Sequence, residues 1–221
     1  MNGSNGLTIL NNLGYQLSQI EDRDLQTLAM AKSLIALIGM RDQYTGSHSA
    51  RVAKYVREIA TQLGLPDNEK ETMVFAAALH DIGKVAVPDH ILLKPGKLSE
   101  EEFGWIQKYP EWGWMALRHL EGFQQAALLV LHHHEHVDGS GYPNRLRGEE
   151  IPLGSRIITV ADSYDALTTN RPYRAALSQS EALAELIRCC GAQFDPHVVN
   201  AFCEALQREA IEKQLLADTK R

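Results

Sequence analysis

The chain has 221 residues, 44% of them apolar and 23% charged, the balance of a soluble globular protein long enough for one domain of ordinary size plus an extra segment. A formal net charge of -6 speaks against a general polynucleotide binder, which carries a basic footprint, but leaves room for a small phosphorylated ligand held by a few local cations. Three cysteines, two of them adjacent, build no disulfide framework; with no apolar run of membrane-spanning length and no basic-then-apolar leader, the sequence reads as cytoplasmic and without membrane association.

Residues 1–17 open with Asn, Gly and Ser, show little periodicity and read as a weakly packed leader. From about Asp24 to Met40, Leu25, Leu28, Ala31, Ile35 and Ile38 recur at spacings of three and four, which predicts an amphipathic helix. It serves as a first core helix or as a seam for dimerisation or an upstream sensor. A second helix is predicted from about His48 to Leu63, with Val52, Val56, Ile59 and Leu63 on one face, Gly64 ending it and Pro66 opening the next turn. His48 lies in its first turn, a position open to a site, although a solvated side chain is the ordinary reading of a lone histidine there.

A third helix, from about Asp67 to Asp81, runs into Ala76-Ala77-Ala78-Leu79-His80-Asp81-Ile82-Gly83-Lys84. An ionised carboxylate at the end of a buried helix is costly unless a cation or strong donor meets it. The carbonyl end of a helix, carrying about half a negative charge, also favours a cation. His80-Asp81 therefore reads as the hinge of a metal site, with Lys84 set to meet an anion. The plainer alternative is Asp81 paired with an arginine.

Pro88, Pro95 and Gly96 punctuate a loop, and Ser99 with Glu102 forms the capping box of a further helix. Trp105, Trp112 and Trp114, near Tyr109-Pro110, read as core and junction packing. Gln124 to His134 is apolar nearly all round and ends in His132, His133, His134 and His136, four of the nine histidines, with Glu135 among them. Asp138-Gly139-Ser140-Gly141-Tyr142-Pro143 must then be a tight loop. A helix from about Arg156 to Thr169 surrounds Asp162 with apolar residues, and Arg171-Pro172-Tyr173-Arg174 follows. Ser178 and Glu181 make a second capping box, Asp195-Pro196 a helix start, and two helices, about 179–190 and 197–212, close an all-α fold. No strand, repeat or domain-splitting linker is apparent.

His48, His80, Asp81, His133, His134 and Asp162 share one chemistry, since imidazole and carboxylate donors suit Fe, Mn or Zn. An aspartate can bridge two ions about 3.5–4 Å apart, as two-metal phosphoesterases require. With Tyr44-Thr45-Gly46-Ser47-His48-Ser49-Ala50-Arg51-Val52, His80-Asp81-Ile82-Gly83-Lys84, Lys94-Pro95-Gly96-Lys97-Leu98, His133-His134-Glu135, Asp138-Gly139-Ser140-Gly141-Tyr142-Pro143, Ala161-Asp162, Asp165-Ala166-Leu167, Arg171-Pro172-Tyr173-Arg174 and Phe194-Asp195-Pro196, the chain resembles an HD-GYP domain over about residues 40–205. HD-GYP domains are a branch of the HD phosphohydrolase superfamily.

The resemblance implies an HD-type helical bundle with extra C-terminal helices: a leader and helix over 1–40, the domain over 41–212 and a tail over 213–221. It implies hydrolysis of cyclic di-GMP, or a related cyclic dinucleotide, to the linear dinucleotide or GMP by hydroxide attack between two divalent ions. Fe or Mn is expected, with Zn, Ni or Mg admitted. Carried over by position, His48, His80, Asp81 and Asp162 would hold the first ion, and Asp81 would bridge to a second, bound also by His133 and His134. Asp81 and Lys84 would be catalytic. Lys84, Arg171 and Arg174 would grip the phosphates, and Gly141, Tyr142 and Pro143 would shape the pocket wall. A homodimer or a signalling partner protein is the expected regulator.

Two departures stand out. Members with a third ion carry a glutamate where this chain has Tyr44, so two ions are expected. Many active members carry a histidine ligand of the second ion at the position of Tyr109. A neutral phenol is a much poorer ligand, although a tyrosinate can bind ferric iron; His132 and, further off, His119 are the other nearby imidazoles. This departure opens a reading of another class, a catalytically weak receptor or interaction module that binds a cyclic dinucleotide. A third reading is an HD hydrolase of another nucleotide, against which the Gly-Tyr-Pro loop and the arginine pair argue.

Overall fold

A computed structural model describes residues 33–34, 45–170 and 175–219. The expected leader, the helix over 24–40 apart from helical Ser33 and Leu34, Tyr44, and the phosphate-gripping pair Arg171 and Arg174 lie outside the described residues.

Among the described residues the fold is all-α, with no strand. Helix α1 (Thr45–Gln62) packs on α2 (Asp67–Leu79), and two short helices, α3 (Asp89–Leu92) and α4 (Glu100–Ile106), lead to α5 (Tyr109–Leu117). Then come α6 (Gln124–His132), α7 (Leu153–Thr168), α8 (Gln179–Arg188) and α9 (Pro196–Thr219). Helix α2 is the centre: Met73, Val74, Phe75, Ala76, Ala77, Ala78 and Leu79 are all buried, between α1, α6 and α7. Its three alanines let the neighbours approach closely. Val52, Val56 and Ile59 of α1, Ile157 and Ile158 of α7 and Phe202 of α9 fill the same core. Burying one such side chain contributes about 1.5–3 kcal/mol, so the core outweighs weak local propensity. Tyr55, Tyr164 and Phe202 meet edge to face at 4.8–5.5 Å and tie α9 to α1 and α7.

Both predicted capping boxes form. Ser99 accepts from the Glu102 amide at 3.2 Å, and Ser178 from that of Glu181 at 3.3 Å. Asp195 accepts from the His197 amide at 2.8 Å and from Arg156 at 2.6 Å, so it joins the start of α9 to α7.

Several boundaries differ from the expectation. Helix α2 stops at Leu79 rather than Asp81, because the chain tightens into a 3-10 turn over Ile82–Ala86 whose first bond runs from the Lys84 amide to the Asp81 carbonyl. Helix α6 stops at His132 rather than His134, α7 starts three residues early behind Pro152, and α9 continues past residue 212 to Thr219. Trp105 is not core: it is 39% exposed, with the Lys108 ammonium 5.0 Å from its ring centroid. No described helix is long and apolar enough to cross a membrane.

Candidate metal centre

The ends of α2 and α6 meet the start of α1 and the middle of α7. This crossing gathers His80 and Asp81, His133 and His134, His48, and Asp162. Against the ordinary expectation for a first-turn histidine, His48 is only 6% exposed, because α7 lies across it. Its Nδ1 donates to Asp165 at 2.7 Å, while Nε2 faces Asp162 Oδ1 at 3.2 Å. Ligand atoms of His48, His80 and Asp162 all lie within 4.8 Å of one another.

A carbonyl only accepts, so His80 Nδ1, 2.7 Å from the Ala77 oxygen, carries a proton, and Nε2 is left to the site. It stands 3.5 Å from Asp81 Oδ1. Both atoms are buried without a hydrogen-bond partner. Leaving a buried polar atom unsatisfied costs about 1–3 kcal/mol. A divalent cation bound by both relieves both at once. Two imidazole nitrogens and the Asp162 carboxylate, with Asp81 beside His80, are donors of a kind that suits such an ion.

Electrostatics agree. Burial works against ionising Asp81 and Asp162, yet the neighbouring histidines, with Lys84 beside Asp81, hold both carboxyls below the usual range. Burial likewise opposes a charge on His48, but hydrogen bonds to Asp162 and Asp165 and the charges of Asp162 and Asp81 raise it to about 9. A proton there does part of the work a cation would do.

The second expected set is arranged differently. His133 Nδ1 donates to the Val130 carbonyl at 2.6 Å, which leaves its Nε2 to the Tyr109 hydroxyl at 3.0 Å. The same hydroxyl bonds His134 Nε2. Burial pushes both imidazoles towards the neutral form, His134 down to about 4. Burial and the Asp81 charge keep the Tyr109 phenol protonated. Neither other imidazole stands in for Tyr109: His132 faces Asn144 at 3.2 Å, and His119 is exposed beside Arg118.

Lys84 pairs with Asp81, 2.7 Å from its Nζ, and the ammonium also lies 5.1 Å from the Tyr109 ring centroid. Gly83 is required where it stands, since a Cβ would overlap the Tyr109 carbonyl oxygen. The Gly-Tyr-Pro loop is tied down by buried Glu135, which accepts from the amides of Asn144 at 2.6 Å and Leu146 at 3.1 Å. Gly141 passes so close to the His134 carbonyl that any side chain would collide with it. Tyr142 thereby stacks on His134 at 4.9 Å, and Pro143 is half-buried beside it.

The sequence reading gave Asp165 no role, although it shares one side of α7 with Asp162 three residues earlier, and that spacing is the signal that could have found it. In the sequence Glu135 stands only as a neighbour of histidines and part of their motif. Its burial, which no local pattern reports, is what makes it a loop anchor.

The description "HD domain" fits a family model matched over residues 32–198. The chain is 41% identical over 197 residues to the cyclic di-GMP phosphodiesterase response regulator RpfG of Xanthomonas campestris, covering 88% of this chain and 51% of that protein. It is 39% identical over 202 residues to 3'3'-cGAMP-specific phosphodiesterase 2 of Vibrio cholerae, covering 90% of this chain and 38% of that protein. Among solved structures, Bd1817, an HDG"Y"P protein from Bdellovibrio bacteriovorus, superposes with a TM-score of 0.63 over 92% of this chain and 68% of its own, at 19% identity, a likeness of fold. The chain thus spans about half or less of the length of the curated relatives it matches. With the family match, the helical bundle and the motifs carried at their expected places, the chain belongs to the HD domain family, in its HD-GYP branch.

Proposed function

We propose that the chain is a metal-dependent phosphodiesterase that opens cyclic di-GMP, or a related cyclic dinucleotide such as 3'3'-cGAMP, to the linear dinucleotide or on to GMP. The observation that carries the reading is the pair of buried, facing, unsatisfied atoms His80 Nε2 and Asp81 Oδ1. A metal ion bound by both would satisfy them, and the names of the relatives supply the substrate class. Fe or Mn is the proposed metal, with Zn, Ni or Mg admitted by the donor set. A divalent ion bound there would supply Lewis acidity and would lower the pKa of a bound water to about 7.

The chain's own residues do the rest. His48, His80, Asp81 and Asp162 would hold and orient the ion, and Asp165 fixes the His48 ring from behind. Lys84, already anchored on Asp81, receives a non-bridging phosphate oxygen, and stacked Tyr142 with Pro143 walls off the dinucleotide. Water oxygen bonds to phosphorus in line, the bond to the ribose 3' oxygen breaks, and the proton lost by water balances the one that oxygen takes up. Arg171 and Arg174 enter this reading as phosphate contacts through the family's pattern alone. A cytoplasmic protein regulated by a second copy or a signalling partner accords with it.

A second ion among Asp81, His133 and His134 is the family's implication. The Tyr109 hydroxyl on those two histidines favours a second reading, a receptor that binds without turnover. The test is anaerobic loading with Mn(II) or Fe(II), followed by chromatography of cyclic di-GMP and 3'3'-cGAMP incubations. Linear product is the expected result. Tight binding without product at full metal occupancy would favour the receptor, and neither binding nor product would overturn both readings.

A further inference from the structure

The two histidines that the resemblance implies for a second ion are joined in this chain by a side chain. One hydroxyl, that of Tyr109, touches Nε2 of His133 at 3.0 Å and Nε2 of His134. Those two residues, with Asp81, would bind a second ion. A metal bonds imidazole nitrogen at about 2.0–2.1 Å, so an ion shared by both Nε2 atoms would have to displace the oxygen that now joins them.

Both histidine rings are held by further contacts. The His133 ring is pinned through Nδ1 to the Val130 carbonyl at 2.6 Å, and the His134 ring lies between that of His133, at 4.1 Å, and that of Tyr142, at 4.9 Å. Tyr109 is 2% exposed, with Gly83 against its carbonyl. A phenol has one proton to give and lone pairs to receive, so it donates to one imidazole and accepts the N–H of the other. Both Nε2 atoms are thereby satisfied without a cation. The contrast with His80 Nε2 and Asp81 Oδ1, buried and unsatisfied a few ångströms off, is the core of the inference.

We propose that this chain holds a single ion, at His48, His80, Asp81 and Asp162, and that the Tyr109 hydroxyl takes the place of the second. The proposal rests on the metal-centre reading above and departs from the two-ion expectation of the family. A single-ion centre has no second cation to share the charge of attacking and leaving oxygens.

The test is metal content rather than turnover. The full chain is reconstituted with excess Mn(II), desalted, and assayed for manganese per chain by mass spectrometry and for magnetic coupling by electron paramagnetic resonance; circular dichroism checks the fold. The natural chain should hold one manganese with the spectrum of an isolated Mn(II). Tyr109→His, and Tyr109→Phe, which keeps the buried ring but removes the oxygen, should each take up a second, coupled ion. Two coupled ions in the natural chain would overturn this inference alone, as would a folded pair of variants that still hold one. No manganese in the natural chain would instead defeat the metal-centre reading itself.

Discussion

Asp165 Oδ2 stands 2.7 Å from Nδ1 of His48, behind the ring whose other nitrogen faces Asp162. Asp165 is 1% exposed on its side chain and also takes two bonds from Arg51, at 2.5 and 2.9 Å, so the carboxylate is held on both oxygens. A carboxylate behind a ligating imidazole fixes its tautomer and aims its lone pair.

Replacing that carboxylate tests the arrangement. Asp165→Asn should weaken Mn(II) binding by about 10–100-fold while the helical circular dichroism is retained. A titration giving the unaltered affinity would mean that His48 needs no such support.

Asp81 carries an ion pair as well as a place at the metal site. In the ion-free protein Asp81→Asn loses the charge that Lys84 meets at 2.7 Å and that the fold favours, so it should melt lower. Stabilisation by added Mn(II) should also vanish, and turnover with it. Calorimetry with and without Mn(II) checks this, and a variant that Mn(II) still stabilises as it does the natural chain would contradict it.

The pH dependence of the ion-free protein has two opposed slopes. His48 is raised in the fold, to about 9 against about 6.5 unfolded, so its contribution is complete below about pH 6.5 and is lost as pH rises through 9. His134, lowered by burial to about 4, acts the other way: the unfolded chain takes up the proton first, so stability falls as pH drops below about 6.5 towards 4. Each difference is worth about 3 kcal/mol at most. Stability should peak near neutral pH in chelator-treated protein. An ion must also displace the His48 proton, so Mn(II) affinity should rise with pH up to about 9. Melting temperatures measured with chelator and with Mn(II) from about pH 5 to about pH 10 test both, and an ion-free profile flat from about pH 7 to 10 would remove the proton from His48.

Local pattern determined a good deal of this protein. Apolar spacing located α1, α2, α6 and α7, Asp195-Pro196 the start of α9, and the capping boxes at Ser99 and Ser178 marked helix starts to the residue, because each rests on interactions within a few positions. The candidate ligands were legible too, as polar groups interrupting apolar helices at a cost that only a cation or proton offsets. What the helix crossing alone decided is pairing. His48 and Asp165 are 117 positions apart, and Tyr109 reaches His133 from 24 positions away. Periodicity says which side of a helix is buried, but not which side chain of another helix it will meet. The burial of His48, the support from Asp165 and the hydroxyl between two imidazoles therefore follow from how α1, α5, α6 and α7 cross around α2, and that crossing is set by the packing of the whole core.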